Sequence, residues 1–363
     1  MDRKSRFLIW SGLIILVLVG IAYSAGHVNP VQDYLIRRVA RQRLRATHND
    51  LLALNQISVV LCGTGVPAPD RDRASACTAV FVAGQFFLVD VGPSSARNVG
   101  AFGLPVARLT GVLLTHFHSD HIGDLGEINT QSWMAGRARP LPVYGPPGVE
   151  SVVDGFIRAY TLDRGYRIAT VPLLSAPAWI MEAHAVSVGG RTGQPEAATV
   201  LERNGLKIVA FTVDHAPVVP AYGYRFDYLG RSIVISGDTA ASANLIRVAS
   251  GADLLVHEAQ AKHMIRIIQQ VASEQHNTLI EQTLAGIQRY HSSPIDAAKV
   301  ANRANVKLLV MSHLAPPPTN LLGQWAFLRE VSQVRPNGVE LGYDGMLITL
   351  RVDSNEIRFS RLN

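Results

Sequence analysis

Four side chains able to bind a metal crowd into six residues of this chain: His116, His118, Asp120 and His121, within Thr115-His116-Phe117-His118-Ser119-Asp120-His121. They follow directly on the apolar run Gly111-Val112-Leu113-Leu114, which reads as a buried strand. Burying three imidazoles and a carboxylate side by side is costly unless an ion satisfies them. Imidazole nitrogens and carboxylate oxygens suit zinc and related divalent cations. A strand that ends in such a loop aims several of these groups into one cavity. The fold must therefore place a strand end at a polar pocket.

The rest of the chain has the pattern of an α/β protein. Residues 57–61, 79–82 and 86–90 are short β-rich runs separated by glycine-containing turns. Helices are expected at 94–102 and, with proline in the first turn, at 146–162. A second β-rich block covers 206–213, 222–227 and 232–236, followed by a strand at 254–257, a helix at 294–304 and a strand at 307–312. Two such blocks, each followed by helices, predict two packed sheets with helices outside. Apolar residues make up 48% of the 363, enough to fill a large core. Residues 163–200 and 259–291 resist assignment. In the second stretch Met264, Ile265, Ile267, Ile268 and Val271 suit a helix lying on the body or on a partner, a second copy of the chain included.

The cluster resembles the signature of the metallo-β-lactamase superfamily, and further segments in order along residues 57–350 extend the resemblance. Val89-Asp90-Val91-Gly92 is similar to the family's strand-end aspartate, and Asp214-His215-Ala216-Pro217 to the third-histidine segment of its ribonuclease Z branch. Ser236-Gly237-Asp238-Thr239 resembles the segment with the bridging aspartate. His257-Glu258-Ala259 and His291-Ser292-Ser293 resemble the branch's His-Glu-Ala and His-Ser-Thr elements, and Met311-Ser312-His313-Leu314 the last ligand segment. The resemblance implies an αββα sandwich of two mixed sheets with helices outside, here behind an N-terminal hydrophobic helix. It implies two divalent ions, zinc by ligand type. His116, His118 and His215 would hold one, Asp120, His121 and His313 the other, and Asp238 would bridge. Asp120 would also handle the attacking water, a hydroxide shared by the metals. His291 would act on the substrate's oxygens or the leaving group, against the bland alternative of a helix-end residue. Asp90 and Glu258 would support the ligands from behind.

The N-terminus is of another kind. Residues 7–23 (FLIWSGLIILVLVGIAY) carry no charge and follow Arg3-Lys4-Ser5-Arg6. This is the pattern of a signal anchor or, less well, a cleaved signal peptide. Residues 31–45 read as a basic amphipathic helix able to lie on anionic headgroups. The division expected is 1–26 for the anchor or signal, 27–49 for a basic linker and 50–363 for catalysis. The protein should be membrane-anchored or exported, with the extracytoplasmic side favoured by the positive start. Cys62 and Cys77 read as small buried thiols, with a disulfide as the alternative in an exported domain.

The charge pattern bears on substrate. The net charge is +6, but the first 45 residues hold eight bases and two acids, leaving 26 of each over 46–363. A neutral body counts against nucleic acid as partner. The ribonuclease Z arm is matched only by residues 163–200, where Arg164, Arg167 and Arg191 face Asp163, Glu182 and Glu196. The expectation is therefore a membrane-targeted hydrolase of a small phosphodiester or aryl sulfate ester. The alternative is a ribonuclease Z-type tRNA 3′ endonuclease, and a distant third is a metal-binding protein without turnover. Turnover of a chromogenic ester without RNA cleavage separates the first two.

Overall fold

The computed structural model describes residues 3–45, 47–189 and 196–362. Arg191 lies outside the described residues, as do the side chains of Arg3, Lys4, Arg6, Arg43 and Arg45. Two compact units result, Met1–His48 and Asn49–Asn363. The first consists of α1 (Arg3–His27) and α2 (Asn29–Arg45). Within α1, Trp10–His27 is long and apolar enough to cross a membrane, with a mean hydropathy of 1.6 over 18 residues.

The second unit begins with β1 (Gln56–Gly63), β2 (Cys77–Val82), β3 (Gln85–Val89), β4 (Leu109–Leu113), β5 (Leu141–Gly145) and β6 (Met181–Ala185). A second sheet follows from β7 (Ala197–Arg203), β8 (Leu206–Val213), β9 (Ala221–Tyr228), β10 (Arg231–Ile235), β11 (Leu254–Gln260), β12 (Leu308–Ala315) and β13 (Val339–Leu341). The chain then returns to the first sheet with β14 (Met346–Arg351) and β15 (Ile357–Arg361). The strand orders are β15-β14-β1-β2-β3-β4-β5-β6 and β13-β12-β11-β10-β9-β8-β7. Both sheets are mixed: β3, β4, β5 and β6 run parallel, as do β10, β11, β12 and β13, and the other pairings are antiparallel.

Strand periodicity explains the layering, because successive side chains point to opposite faces. On β1, Ile57, Val59 and Leu61 enter the core between the sheets, whereas Val60 and Cys62 enter the core under the first helix layer. On β12, Leu308 and Val310 face the other sheet, and Leu309 and Met311 face the second helix layer. Strands buried on both faces read as continuous apolar runs, as these do. The first layer contains α3 (Ser95–Ala101), the short α4 (Ser119–Ile122), α5 (Leu125–Met134) and α6 (Val149–Thr170). The second contains α7 (Ala243–Val248), α8 (Lys262–Glu274), α9 (Thr278–Ile287), α10 (Pro294–Arg303), α11 (Leu321–Phe327) and α12 (Val331–Val334). The αββα sandwich expected from the sequence is present.

Three local readings change. The helix expected to end at residue 162 runs to Thr170, through an Asp163–Arg167 ion pair of 2.7 Å one turn apart. The unassigned stretch 259–291 becomes the end of β11 and the hairpin of α8 and α9. Cys62 and Cys77 form a disulfide rather than two thiols, because the antiparallel pairing of β1 and β2 sets Gly63 opposite Cys77 and brings the two cysteine Cα atoms to 5.0 Å.

Candidate active site

The site forms where strands end. Asp90 follows β3, His116 to His121 follow β4, His215 follows β8 and Asp238 follows β10. In open α/β sheets the carboxyl ends of strands are where loops can converge on a ligand. His257 and Glu258 lie inside β11 and His313 inside β12. Glu258 pairs with Ser312 and Ala259 with Leu314, so His313 is the extra residue of a bulge, at a φ of 48°. That bulge turns its imidazole out of the ladder and toward the site. Two glycines permit the close approach of loops. A Cβ at Gly92 would stand 1.9 Å from the Asp120 carbonyl oxygen, and Gly237, at a φ of 62°, would put one 2.5 Å from the Tyr222 carbonyl oxygen.

The ligand atoms of His116, His118, His215 and Asp238 lie within 4.8 Å of one another, and so do those of Asp120, His121 and His313. Asp238 joins the groups: its Oδ2 is 3.9 Å from both His116 Nε2 and His215 Nε2 and 3.4 Å from His121 Nε2, while Oδ1 is 3.6 Å from His313 Nδ1. Asp120 Oδ2 stands 3.1 Å from His313 Nε2 and 3.5 Å from His121 Nε2. All seven are buried except His118, which is partly exposed.

A shell of hydrogen bonds orients them. Asp90 accepts from the Thr115 N–H and hydroxyl, each at 2.8 Å, and sits 2.8 Å from His121 Nδ1. With that nitrogen donating, His121 turns a bare Nε2 to the cavity. His215 Nδ1 donates to the Tyr290 carbonyl at 3.1 Å, with the same consequence for its Nε2. Glu258 Oε1 accepts from the Thr239 and Ser292 N–H groups and from His291 Nδ1, each at 3.0 Å. His291 does not cap the helix behind it, because Ser293 and Asp296 form a capping box at the start of α10.

These groups fit metal ions. His121 Nε2 and His215 Nε2 are buried without a hydrogen-bond partner. Burial pushes the His116 imidazole well below its usual value and lowers His118 and His215 as well, which leaves neutral rings with lone pairs to give. Burial would also lower His121, but Asp238 and Asp90 outweigh it and raise it well above that value. Burial would raise Asp238, yet His313 and His121 hold it well below the usual carboxylate range. The site thus concentrates carboxylates that call for positive charge, and among the described residues no lysine or arginine pairs with Asp90, Asp120, Asp238 or Glu258. Two divalent cations would meet that demand. Burial lowers His291 too, but Glu258 and Asp238 more than offset it, and its pKa stands at about 9.

Sequence reading named every ligand candidate in this cluster but missed Thr115, the Tyr290 carbonyl and Gln260. Thr115 and Tyr290 each adjoin a named histidine, and Gln260 follows the His257-Glu258-Ala259 element by one residue. Adjacency was the available signal. It missed also the wall made by α8 and α9, which joins the site from distant sequence.

Residues 86–314 match the family described as Beta-lactamase superfamily domain. The chain is 41% identical over 263 residues to Ribonuclease Z of Mycobacterium avium (strain 104), covering 72% of this chain and 86% of the relative. It is 39% identical over 292 residues to Ribonuclease Z of Mycobacterium marinum (strain ATCC BAA-535 / M), covering 79% and 96%. Human tRNase Z, short form, shares the fold at a TM-score of 0.58 and 21% identity, over 80% of this chain and 98% of that one. These relatives overturn the expectation of a small-ester or sulfate-ester hydrolase in favour of its ribonuclease alternative. The weight given to the neutral body against a nucleic-acid partner was misplaced as well. The error has a physical source: net charge averages over the whole body, whereas phosphate contacts are local. The matched residues, the sandwich and the strand-end cluster together make this chain a member of the metallo-β-lactamase superfamily, in its ribonuclease Z branch.

Proposed function

We propose that the chain is a metal-dependent phosphodiesterase acting on RNA, an endonuclease of the ribonuclease Z type directed at tRNA 3′ ends. One observation carries this reading: two adjacent ligand groups joined by Asp238, with the His291–Glu258 pair beside them, in a chain 41% identical to a ribonuclease Z. His116, His118 and His215 would hold one ion, Asp120, His121 and His313 the other, with Asp238 between them. Zinc suits this donor set. Such a pair supplies Lewis-acid charge to a phosphoryl oxygen and makes water acidic enough to attack at neutral pH.

The chain's own residues supply the remainder. Asp120, buried with its Oδ2 at 3.1 Å from His313 Nε2, would accept the proton of the attacking water. His291, held through Nδ1 by Glu258, keeps Nε2 for the substrate. There it donates to a phosphoryl oxygen or to the departing ribose oxygen. Glu258 and Asp90 act by fixing ring orientation.

The test is cleavage of a tRNA precursor with a 3′ trailer by the full-length protein in detergent. Trailer release that stops with a chelator and with His116→Ala supports the reading. Turnover of simple diesters with the precursor left intact would refute it. We infer as well that Trp10–His27 attaches the enzyme to a membrane. Its hydropathy and the excess of basic residues beside it support this.

A further inference from the structure

Beside the metal ligands lies a cavity of about 370 Å³, in the size range of small-molecule sites. His118, Asp120, Asp238, Glu258, His291 and His313 form its floor. The opposite wall is apolar and comes mostly from α8 and α9, which supply no metal ligand. Ile265 and Ile268 lie one turn apart on α8, as do Leu284 and Ile287 on α9, and Pro316 follows β12. Gln269 accepts from Gln288 at 3.0 Å across the two helices, and His263 Nε2 donates to the Ala326 carbonyl at 2.9 Å, tying α8 to α11. The Tyr290 ring stands 4.9 Å from that of His291 and 5.0 Å from that of His215, an aromatic face between wall and floor.

Two polar side chains interrupt this wall: Thr283, whose hydroxyl donates to the Leu279 carbonyl at 2.8 Å, and Gln260, which the metals do not need. Gln260 ends β11, is 2% exposed, and its Oε1 has no hydrogen-bond partner. A buried amide oxygen left unmet costs free energy that a ligand donor would recover. A phosphate and a metal pair do not call for an apolar wall with a single amide in it. A planar heterocycle does: its faces seek aromatic and aliphatic contact, and its edge carries donors that an amide can address.

We propose that this cavity holds a nucleobase of the substrate, on the nucleotide adjoining the scissile phosphate, and that Gln260 reads its edge. Gln260 is then a specificity-determining residue, and α8 and α9 form the base-binding wall. The inference rests on the phosphodiesterase reading of the metal site, yet it can fail separately from the nuclease reading.

The experiment is calorimetric titration of full-length, metal-loaded protein with the four nucleoside 5′-monophosphates and with ribose 5-phosphate. At least one nucleotide should bind about 10-fold or more tighter than ribose 5-phosphate. Gln260→Leu should narrow the spread among the four bases several-fold, and Leu284→Arg should bring every nucleotide down to the wild-type ribose 5-phosphate value. Equal affinities for nucleotides and ribose 5-phosphate would overturn the proposal. So would variants that weaken ribose 5-phosphate as much as the nucleotides, the mark of a damaged fold or metal site. Base-dependent binding without precursor cleavage would sink the nuclease reading alone; cleavage with flat binding would sink the base pocket alone.

Discussion

His215 shows how one residue ties fold to chemistry. It follows β8, donates through Nδ1 to the Tyr290 carbonyl, and is left with a buried Nε2 that no protein group satisfies. His215→Ala removes that candidate ligand, so elemental analysis of the purified protein should show the content falling from the proposed two ions per chain toward one, with turnover lost. Full metal content in that variant would remove His215 from the ligand set. His291 calls for a different outcome. Its bond to Glu258 places it at the cavity, where it also stands with Asp238 and His313 in a third group able to hold an ion; the proposed function gives it to the substrate instead. His291→Ala should lower kcat by about 10²-fold, the size of a typical acid–base or charge-stabilising contribution. Metal content should stay the same. A parallel loss of metal would make His291 a ligand instead. Both histidines were legible in sequence because short motifs carry them; Tyr290 was not, since it acts through a backbone carbonyl that any residue possesses.

Among the elements, β1 and β2 carry a measurable cross-link. The disulfide closes a loop of 15 residues, for which the chain-entropy estimate is about 3 kcal/mol. The Cys62→Ser, Cys77→Ser double variant should lose about that much in urea denaturation under non-reducing conditions. An unchanged midpoint would show that the bond adds nothing to stability in the folded protein. The strands were readable because burial on both faces writes itself as continuous apolar runs. The α8–α9 hairpin was readable only in part: Met264, Ile265, Ile267, Ile268 and Val271 recur at helical spacing and mark one apolar face, but nothing local says that this face covers the active-site cavity.

At the scale of the whole molecule, the unit Asn49–Asn363 has cores between its sheets and beneath both helix layers, all built from its own residues. Removing residues 1–48 should therefore leave a folded protein whose thermal midpoint and metal content match those of the intact chain. The intact chain should sediment with membranes and the shortened one should stay in the supernatant. Equal partitioning of the two would dismiss the proposed anchor. By itself the sequence determined the superfamily, the candidate ligands and the two-sheet plan, because each is written in contiguous motifs or in strand periodicity. It determined the apolar N-terminal run as well. Only the tertiary structure decided that Cys62 meets Cys77, and that α8 and α9 wall the cavity with the Oε1 of Gln260 left unpartnered within it. Those are contacts between residues far apart in the chain, set by sheet register and helix docking, and no local pattern encodes such distances.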